Sequence, residues 1–249
     1  MKIIIKLSGK IINDESLLKK FVLDVKKILN NNEVIVVHGG GKQISEWMQR
    51  LSLEPKFVDG LRFTDEKTLE VVISVLCGLI NKSLVGEFIN NGVKKTVGLS
   101  CVDDRLVLCE IESKLGFVGG NIIKVNTSLI NLLLKNKYLV LISSVGLGKV
   151  KDSKFDIVNI NADKIVYALA TTIKPDRVIF MTDKEGVLDE DGKLIKSLNL
   201  KGIDRLIEKK VVTEGMIPKL TSIKEMFKKG VHEIVITNNL RKNGTIISC

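Results

Sequence analysis

Residues Val34-Ile-Val-Val-His-Gly-Gly-Gly41 join an apolar run to three consecutive glycines, with no proline or charge between them. The run reads as a buried strand. The glycines read as a loop with no side chains in the way of a ligand, able to press its backbone N–H groups against an anion. Taken alone, the same residues also make a tight strand-to-helix turn.

Strand-like and helix-like segments alternate on both sides of this feature. Residues 2–7, 34–37, 138–143, 177–181, 233–237 and 245–248 read as strands. Residues 16–29, with Leu17, Leu18, Phe21, Val22, Val25, Ile28 and Leu29 at helical spacing, read as an amphipathic helix. Ile44, Trp47, Met48 and Leu51 mark another, and a long apolar stripe from Leu69 to Leu84 predicts a helix over 66–90. Further helices are expected at 129–134, 162–172, 206–210 and 217–229. Residues 93–124 show four glycines and no helical period, and predict a hairpin region. The alternation implies an α/β fold, a three-layer sandwich whose central, mostly parallel sheet is flanked by helices. Pro175, in the polar connector Ile173-Lys-Pro-Asp176, divides it into lobes 1–174 and 175–249.

Apolar residues are 45% of the 249, enough for a real core, and the net charge of +10 comes mostly from lysine, with only six arginines among 39 basic residues. These lysines are scattered along the helices and accompanied by one Trp and two Tyr, which disfavours nucleic-acid binding. An anionic substrate or acidic partner fits the charge better than a membrane, since no window reaches spanning length without charge. The cysteines Cys77, Cys101, Cys109 and Cys249 form no Cys-x-x-Cys pair, so no metal site is expected. Free thiols and the short N-terminal apolar stretch fit a reducing cytoplasm.

Gly41-Lys42-Gln43 and Gly9-Lys10-Ile11 fail the P-loop pattern, and Ile44 occupies the place of the third glycine of a dinucleotide fingerprint. Lys6-Leu-Ser-Gly9 ends the first strand. Ligands of parallel sheets gather at the carboxyl ends of strands, so Lys6 is expected to meet the same ligand as the glycine loop. Asn159-Ile-Asn-Ala-Asp163 precedes a helix, and holds more polar groups than one cap requires. Thr182-Asp183 to Leu188 follows another strand, and Met216-Ile-Pro-Lys219 opens a helix.

Together these pieces resemble the amino acid kinase family, in its acetylglutamate kinase branch. The matching stretches are Lys6-x-x-Gly9, Val37-His-Gly-Gly-Gly41, Gly60-Leu-Arg-Phe-Thr-Asp65, Asn159-x-Asn-Ala-Asp163, Asp183-x-x-Gly-Val-Leu188 and Gly215-Met-Ile-Pro-Lys219, in the family's order. Lys42-Gln-Ile-Ser45 after the glycines disfavours the relatives that phosphorylate isopentenyl phosphate. Ser8 departs from the family's usual glycine. Cys77-Gly-Leu-Ile-Asn-Lys82 and Val97-Gly-Leu-Ser100 resemble the branch whose substrate hangs on an acidic amino-group carrier protein of the LysW type. The resemblance therefore implies a kinase of carrier-linked aminoadipate or glutamate in lysine or arginine synthesis. N-acetylglutamate is the alternative substrate, and a catalytically silent protein of the same fold is the alternative without chemistry.

The resemblance implies transfer of the ATP γ-phosphoryl group to a side-chain carboxylate, with Mg²⁺ carried on the nucleotide. Lys6 and Lys219 are expected to shield the transferring group, with Asp163 holding both ammoniums. Gly40, Gly41, Arg62 and Asn159 are expected to bind substrate. Gly9, Asp183, Gly186, Leu188 and Thr213 are expected to bind ATP. The N-terminal lobe would hold the amino acid and a homodimer contact, the C-terminal lobe the nucleotide.

Overall fold

Runs of Val and Ile without a polar face are satisfied only inside a sheet covered on both sides. The chain supplies several of them, and the computed structural model places them side by side. It describes residues 1–150, 154–209, 211, 217–242 and 244–248. In chain order the elements are β1 (Lys2–Leu7), the single turn α1 (Gly9–Ile12), α2 (Glu15–Leu29), β2 (Glu33–His38), α3 (Gly41–Arg50), β3 (Phe57–Val58), β4 (Leu61–Arg62) and α4 (Glu66–Ile73). A π-helical segment, Ser74–Ile80, carries α4 without a break into α5 (Asn81–Asn90). Next come β5 (Thr96–Ser100), β6 (Val107–Ile111), β7 (Gly119–Val125), α6 (Ser128–Lys135), β8 (Leu139–Ser143), β9 (Val145–Lys149), β10 (Phe155–Asn159) and α7 (Ala162–Ile173). The chain closes with β11 (Arg177–Met181), β12 (Ser197–Leu198), α8 (Leu200–Glu208), α9 (Ile217–Lys228), β13 (Glu233–Thr237) and β14 (Thr245–Ser248).

The main sheet has eight strands in the order β12-β14-β13-β11-β1-β2-β8-β5, and only the β13–β14 pair is antiparallel. β1 is the switch point, with β2 on one side and β11 on the other. A smaller four-stranded sheet, β10-β9-β6-β7, stands beside it.

Side chains alternate between the two faces of each strand, and the core divides accordingly. On one face Ile4, Ile35, Val37, Val140, Ile142, Val178 and Phe180 pack under α6, α7, α8 and α9. On the other, Ile3, Ile5, Leu7, Val34, Val36, Leu141 and Ile179 pack under α2, α3 and the long helix α4–α5. These are the three layers expected. The boundary expected near Pro175 falls between α7 and β11, and the sheet runs across it.

The expected helices and strands appear with small shifts at their ends, and α8 begins at Leu200 rather than near 206. Two features differ in kind. Thr96–Ser100, expected within a hairpin region, is the edge strand of the main sheet, paired parallel with β8; only β6 and β7 form an antiparallel pair there. The helix over 66–90 contains seven π-helical residues. By length and composition it could cross a membrane, but Val72, Val75, Leu76, Ile80, Leu84 and Phe88 are buried in the core beneath the sheet.

Candidate active site

The carboxyl ends of β1, β2 and β8 meet at one edge, because the three run parallel in register Leu7–His38–Ser143. A cleft of about 290 Å³ opens there, lined by Lys6, Gly9, Gly39, Gly40, Gly41, Arg62, Ser144, Asn159 and Asn161 among others. Of the residues expected to bind or react, Lys6, Gly9, Gly40, Gly41, Arg62 and Asn159 thus share one cavity.

The period of β1 aims Lys6. Ile4 lies on the α7 face, so Lys6, two residues on, points to that face as well. There Asn161 caps α7, its Oδ1 accepting from the N–H of Asp163 at 2.8 Å. The cap puts Asp163 in the first helical turn, with Oδ1 3.4 Å from Lys6 Nζ. That oxygen is buried and takes part in no hydrogen bond among the described residues, so it keeps acceptor capacity for another donor. Lys6 also stands opposite Phe180 in the register, and the Lys219 ammonium of α9 lies 5.8 Å from the Phe180 ring centre. Burial pulls the Lys219 pKa down, Asp163 pushes it up, Lys6 pulls it down and Asp183 pushes it up. Lys6 and Asp163 are thus paired across two elements, and both charges act on the ammonium of Lys219 from a third.

At the other end of the cleft Arg62 is 7% exposed. Its Nη2 donates to the Gly41 carbonyl at 2.8 Å and to Ser45 Oγ at 2.7 Å, and its guanidinium lies 4.8 Å over the Phe57 ring. Burial lowers its pKa. Asn159 Nδ2 reaches Thr64 Oγ1 at 3.4 Å, and Thr64 Oγ1 donates to the Arg62 carbonyl at 3.1 Å. Asn159 and Arg62 are thus tied together through a buried threonine.

The glycines of the loop do different things. A Cβ on Gly40 would overlap Ile80 Cδ1 and lie 2.8 Å from Leu76 Cδ2, so Gly40 rests directly on the π segment. A Cβ on Gly41 or Gly9 would meet nothing within 4 Å. Ser8 caps α1 by accepting from the Lys10 N–H at 3.3 Å.

Other expected nucleotide residues lie outside the cleft lining. Gly186 packs between β14 and Leu194, where a Cβ would meet Thr245 Oγ1 at 2.5 Å and Leu194 Cδ1 at 2.6 Å, and Leu188 bridges to Leu194. Asp183 is exposed beyond the end of β11. Thr213 lies outside the described residues. Ser144 and Thr64 were missed as site residues. The rule that ligands gather at carboxyl strand ends, applied to β8, points to Ser144; Thr64 lies within the matching stretch Gly60–Asp65, where only Arg62 was given a role.

The amino acid kinase family pattern matches residues 1–238. The acetylglutamate kinase of Endomicrobium trichonymphae is 36% identical over 248 residues, covering 98% of this chain and 97% of that protein. The acetylglutamate kinase of Geobacter metallireducens is 40% identical over 249 residues, covering 94% and 83%. Among solved structures, smu.665 from Streptococcus mutans superposes with a TM-score of 0.83 at 29% identity, over 99% of this chain and 98% of that one.

Proposed function

The chain belongs to the amino acid kinase family, and from that premise we propose that it transfers the γ-phosphoryl group of ATP to the side-chain carboxylate of N-acetylglutamate. The product is an acyl phosphate. The observation that carries this reading is the Lys6–Asp163 pair facing the glycine loop, with a buried arginine at the far end of the same cleft.

A carboxylate is ionised at neutral pH, so the nucleophile needs no general base. The difficulty is bringing an anion against a polyanion, which positioning and cationic shielding must overcome. Lys6 bridges the β- and γ-phosphates. Lys219 neutralises charge on the leaving side. Asp163 orients both ammoniums through the oxygen that has no hydrogen bond. The N–H groups of Gly9 and Gly41 take oxygens of the transferring group. Arg62 holds the substrate's α-carboxylate as a two-pronged donor, and Asn159 binds its amide region. Asp183, Gly186, Leu188 and Thr213 belong to the nucleotide side, so lobe 1–174 holds the acceptor and 175–249 the donor. Mg²⁺ would enter with the nucleotide and would offset negative charge on its phosphates.

The choice of N-acetylglutamate over a carrier-linked substrate has two supports. The relatives that match along nearly their whole length carry the name acetylglutamate kinase. The stretches that resemble the carrier-dependent branch have a packing reason to be what they are: Asn81 of the first would overlap any Cβ placed on Gly98 of the second. The +10 charge favours ATP and a dicarboxylate as much as an acidic carrier. A homodimer belongs to the same reading, because Leu79 and Ile89 on the long helix are 46% and 43% exposed; sedimentation at micromolar concentration would report it.

The test is trapping. Purified protein with ATP and Mg²⁺ is incubated in hydroxylamine with N-acetylglutamate, carrier-linked aminoadipate or carrier-linked glutamate. Hydroxamate is expected from N-acetylglutamate. Hydroxamate from a carrier-linked substrate alone would move the assignment to the carrier branch, and none from any would favour a silent protein.

A further inference from the structure

β2 places His38 on the face opposite Val37, away from the phosphoryl side and toward α5. The ring is fully buried directly before the glycine loop. Its Nδ1 lies 3.1 Å from the Gly39 carbonyl and its Nε2 lies 3.1 Å from Asn81 Nδ2.

Neighbours that are not rings fix the proton. Asn81 Nδ2 also lies 3.3 Å from the Leu99 carbonyl and 3.4 Å from the Leu141 carbonyl. A flipped amide would point its oxygen at both. Asn81 Oδ1 instead accepts from Lys82 Nζ at 3.2 Å, and Lys82 is held by the Gly98 carbonyl at 2.9 Å. The amide nitrogen therefore faces the ring. It can only donate, so Nε2 must accept and the ring proton must sit on Nδ1. Nδ1–H then donates to the Gly39 carbonyl.

We propose that His38 is a positioning residue: locked by Asn81 as the Nδ1–H tautomer, it holds the Gly39 carbonyl and so aims the following N–H groups of the glycine loop at the transferring phosphoryl group. The proposal rests on the kinase reading above. The titratable groups facing this pocket are Lys82 on α5 and Cys77 on the π segment, whose Sγ lies 3.3 Å from Ser143 Oγ. Burial lowers the His38 pKa to about 4, against an upward pull from the Gly39 bond, so the neutral ring persists through the working pH range. The π segment supports the same loop from beneath through Leu76 and Ile80 against Gly40. His38 and Asn81 close it from the side.

Two isosteric variants separate the ring's two nitrogens. His38→Asn keeps an amide donor near the Nδ1 position and abandons Asn81. His38→Gln keeps an acceptor near the Nε2 position and abandons the Gly39 carbonyl. In the hydroxamate assay His38→Asn should stay within about threefold of wild-type kcat, whereas His38→Gln should lose about tenfold or more with the KM for ATP unchanged. Equal losses in the two, or a loss that follows each variant's thermal midpoint, would overturn the positioning role. Nitrogen-15 spectra of wild-type protein without substrate read the tautomer itself. The chain has two histidines, and His232→Gln assigns the remaining ring. A pyrrole-type Nδ1 and a pyridine-type Nε2 are expected from about pH 8 to about pH 5.5. An Nε2–H ring, or titration at an ordinary histidine midpoint, would defeat the proposal however the kinase assay turns out. No hydroxamate from wild type with the expected spectra would instead fault the kinase reading.

Discussion

Lys6 Nζ and Asp163 Oδ1 lie 3.4 Å apart at the carboxyl end of the central strand, although 157 positions separate them in the chain. The lysine arrives by strand period and the aspartate by helix capping, so the pair exists only where β1 and α7 cross. Both side chains remain partly exposed, 19% and 35%, which suits a site that must admit phosphate. As a surface-accessible ion pair it contributes little to folding, so its consequences should be kinetic.

Asp163→Asn removes the carboxylate charge beside the Lys6 ammonium and leaves the cap from Asn161 in place. kcat should fall about tenfold or more with little change in melting temperature. Steady-state kinetics beside thermal melting measures both. Unchanged kcat would remove Asp163 from the site.

Lys219 should set the alkaline limb of kcat/KM. Burial holds its pKa below the ordinary lysine value, and the ammonium is the useful form, so activity should fall with rising pH earlier than a free lysine would titrate. Lys219→Ala should lower activity about 10²-fold and remove that limb. A pH profile of the variant that keeps the wild-type alkaline limb would contradict the assignment.

Arg62→Lys keeps the charge and loses the planar fork. KM for N-acetylglutamate should rise about tenfold or more, with kcat much closer to wild type. A collapsed kcat at unchanged KM would place Arg62 on the phosphoryl group instead.

Gly40 and Gly41 should respond oppositely to alanine. Gly40→Ala drives a methyl into Ile80 and Leu76 and should cost about 1–3 kcal/mol of stability. Gly41→Ala meets nothing and should leave stability within about 1 kcal/mol while blocking the cleft. Denaturant titration with the trapping assay distinguishes them, and equal destabilisation would mean the loop lies otherwise.

His38 should leave a mark on acid stability. Its folded-state pKa, about 4, lies below the ordinary 6.5. Between those values the unfolded chain binds more protons, so stability declines as pH falls through this window and His38 contributes nothing above it. The full loss is on the order of 3 kcal/mol. Comparing wild type with His38→Gln by denaturant titration at several pH values isolates it; identical acid slopes would contradict the burial.

The sheet and the charged half of the site were legible because their signals are local. Val and Ile runs announce covered strands, and Lys6, Asn159 and Asp163 sit at strand ends or helix starts that the pattern locates, whereas Arg62 came only with the resemblance. The supports of the site were not legible. Asn81 meets His38 across 43 positions, and nothing near Asn81 distinguishes it from an ordinary helix residue. The π segment keeps its apolar residues at helical spacing, so its geometry comes from packing beneath Gly40. β5 was misread because Thr96-Val-Gly-Leu-Ser100 is short and glycine-containing, and becomes a strand only by pairing with β8. The stretch around Cys77 resembles a carrier-branch signature in sequence, and in the fold its Asn81 packs against Gly98.

The most direct test is the single-turnover rate of phosphoryl transfer in Lys6→Ala, with ATP and N-acetylglutamate both saturating. A fall of about 10²-fold or more with nucleotide affinity retained is expected. Transfer at the wild-type rate would mean that the ammonium beside Asp163 has no part in the chemistry.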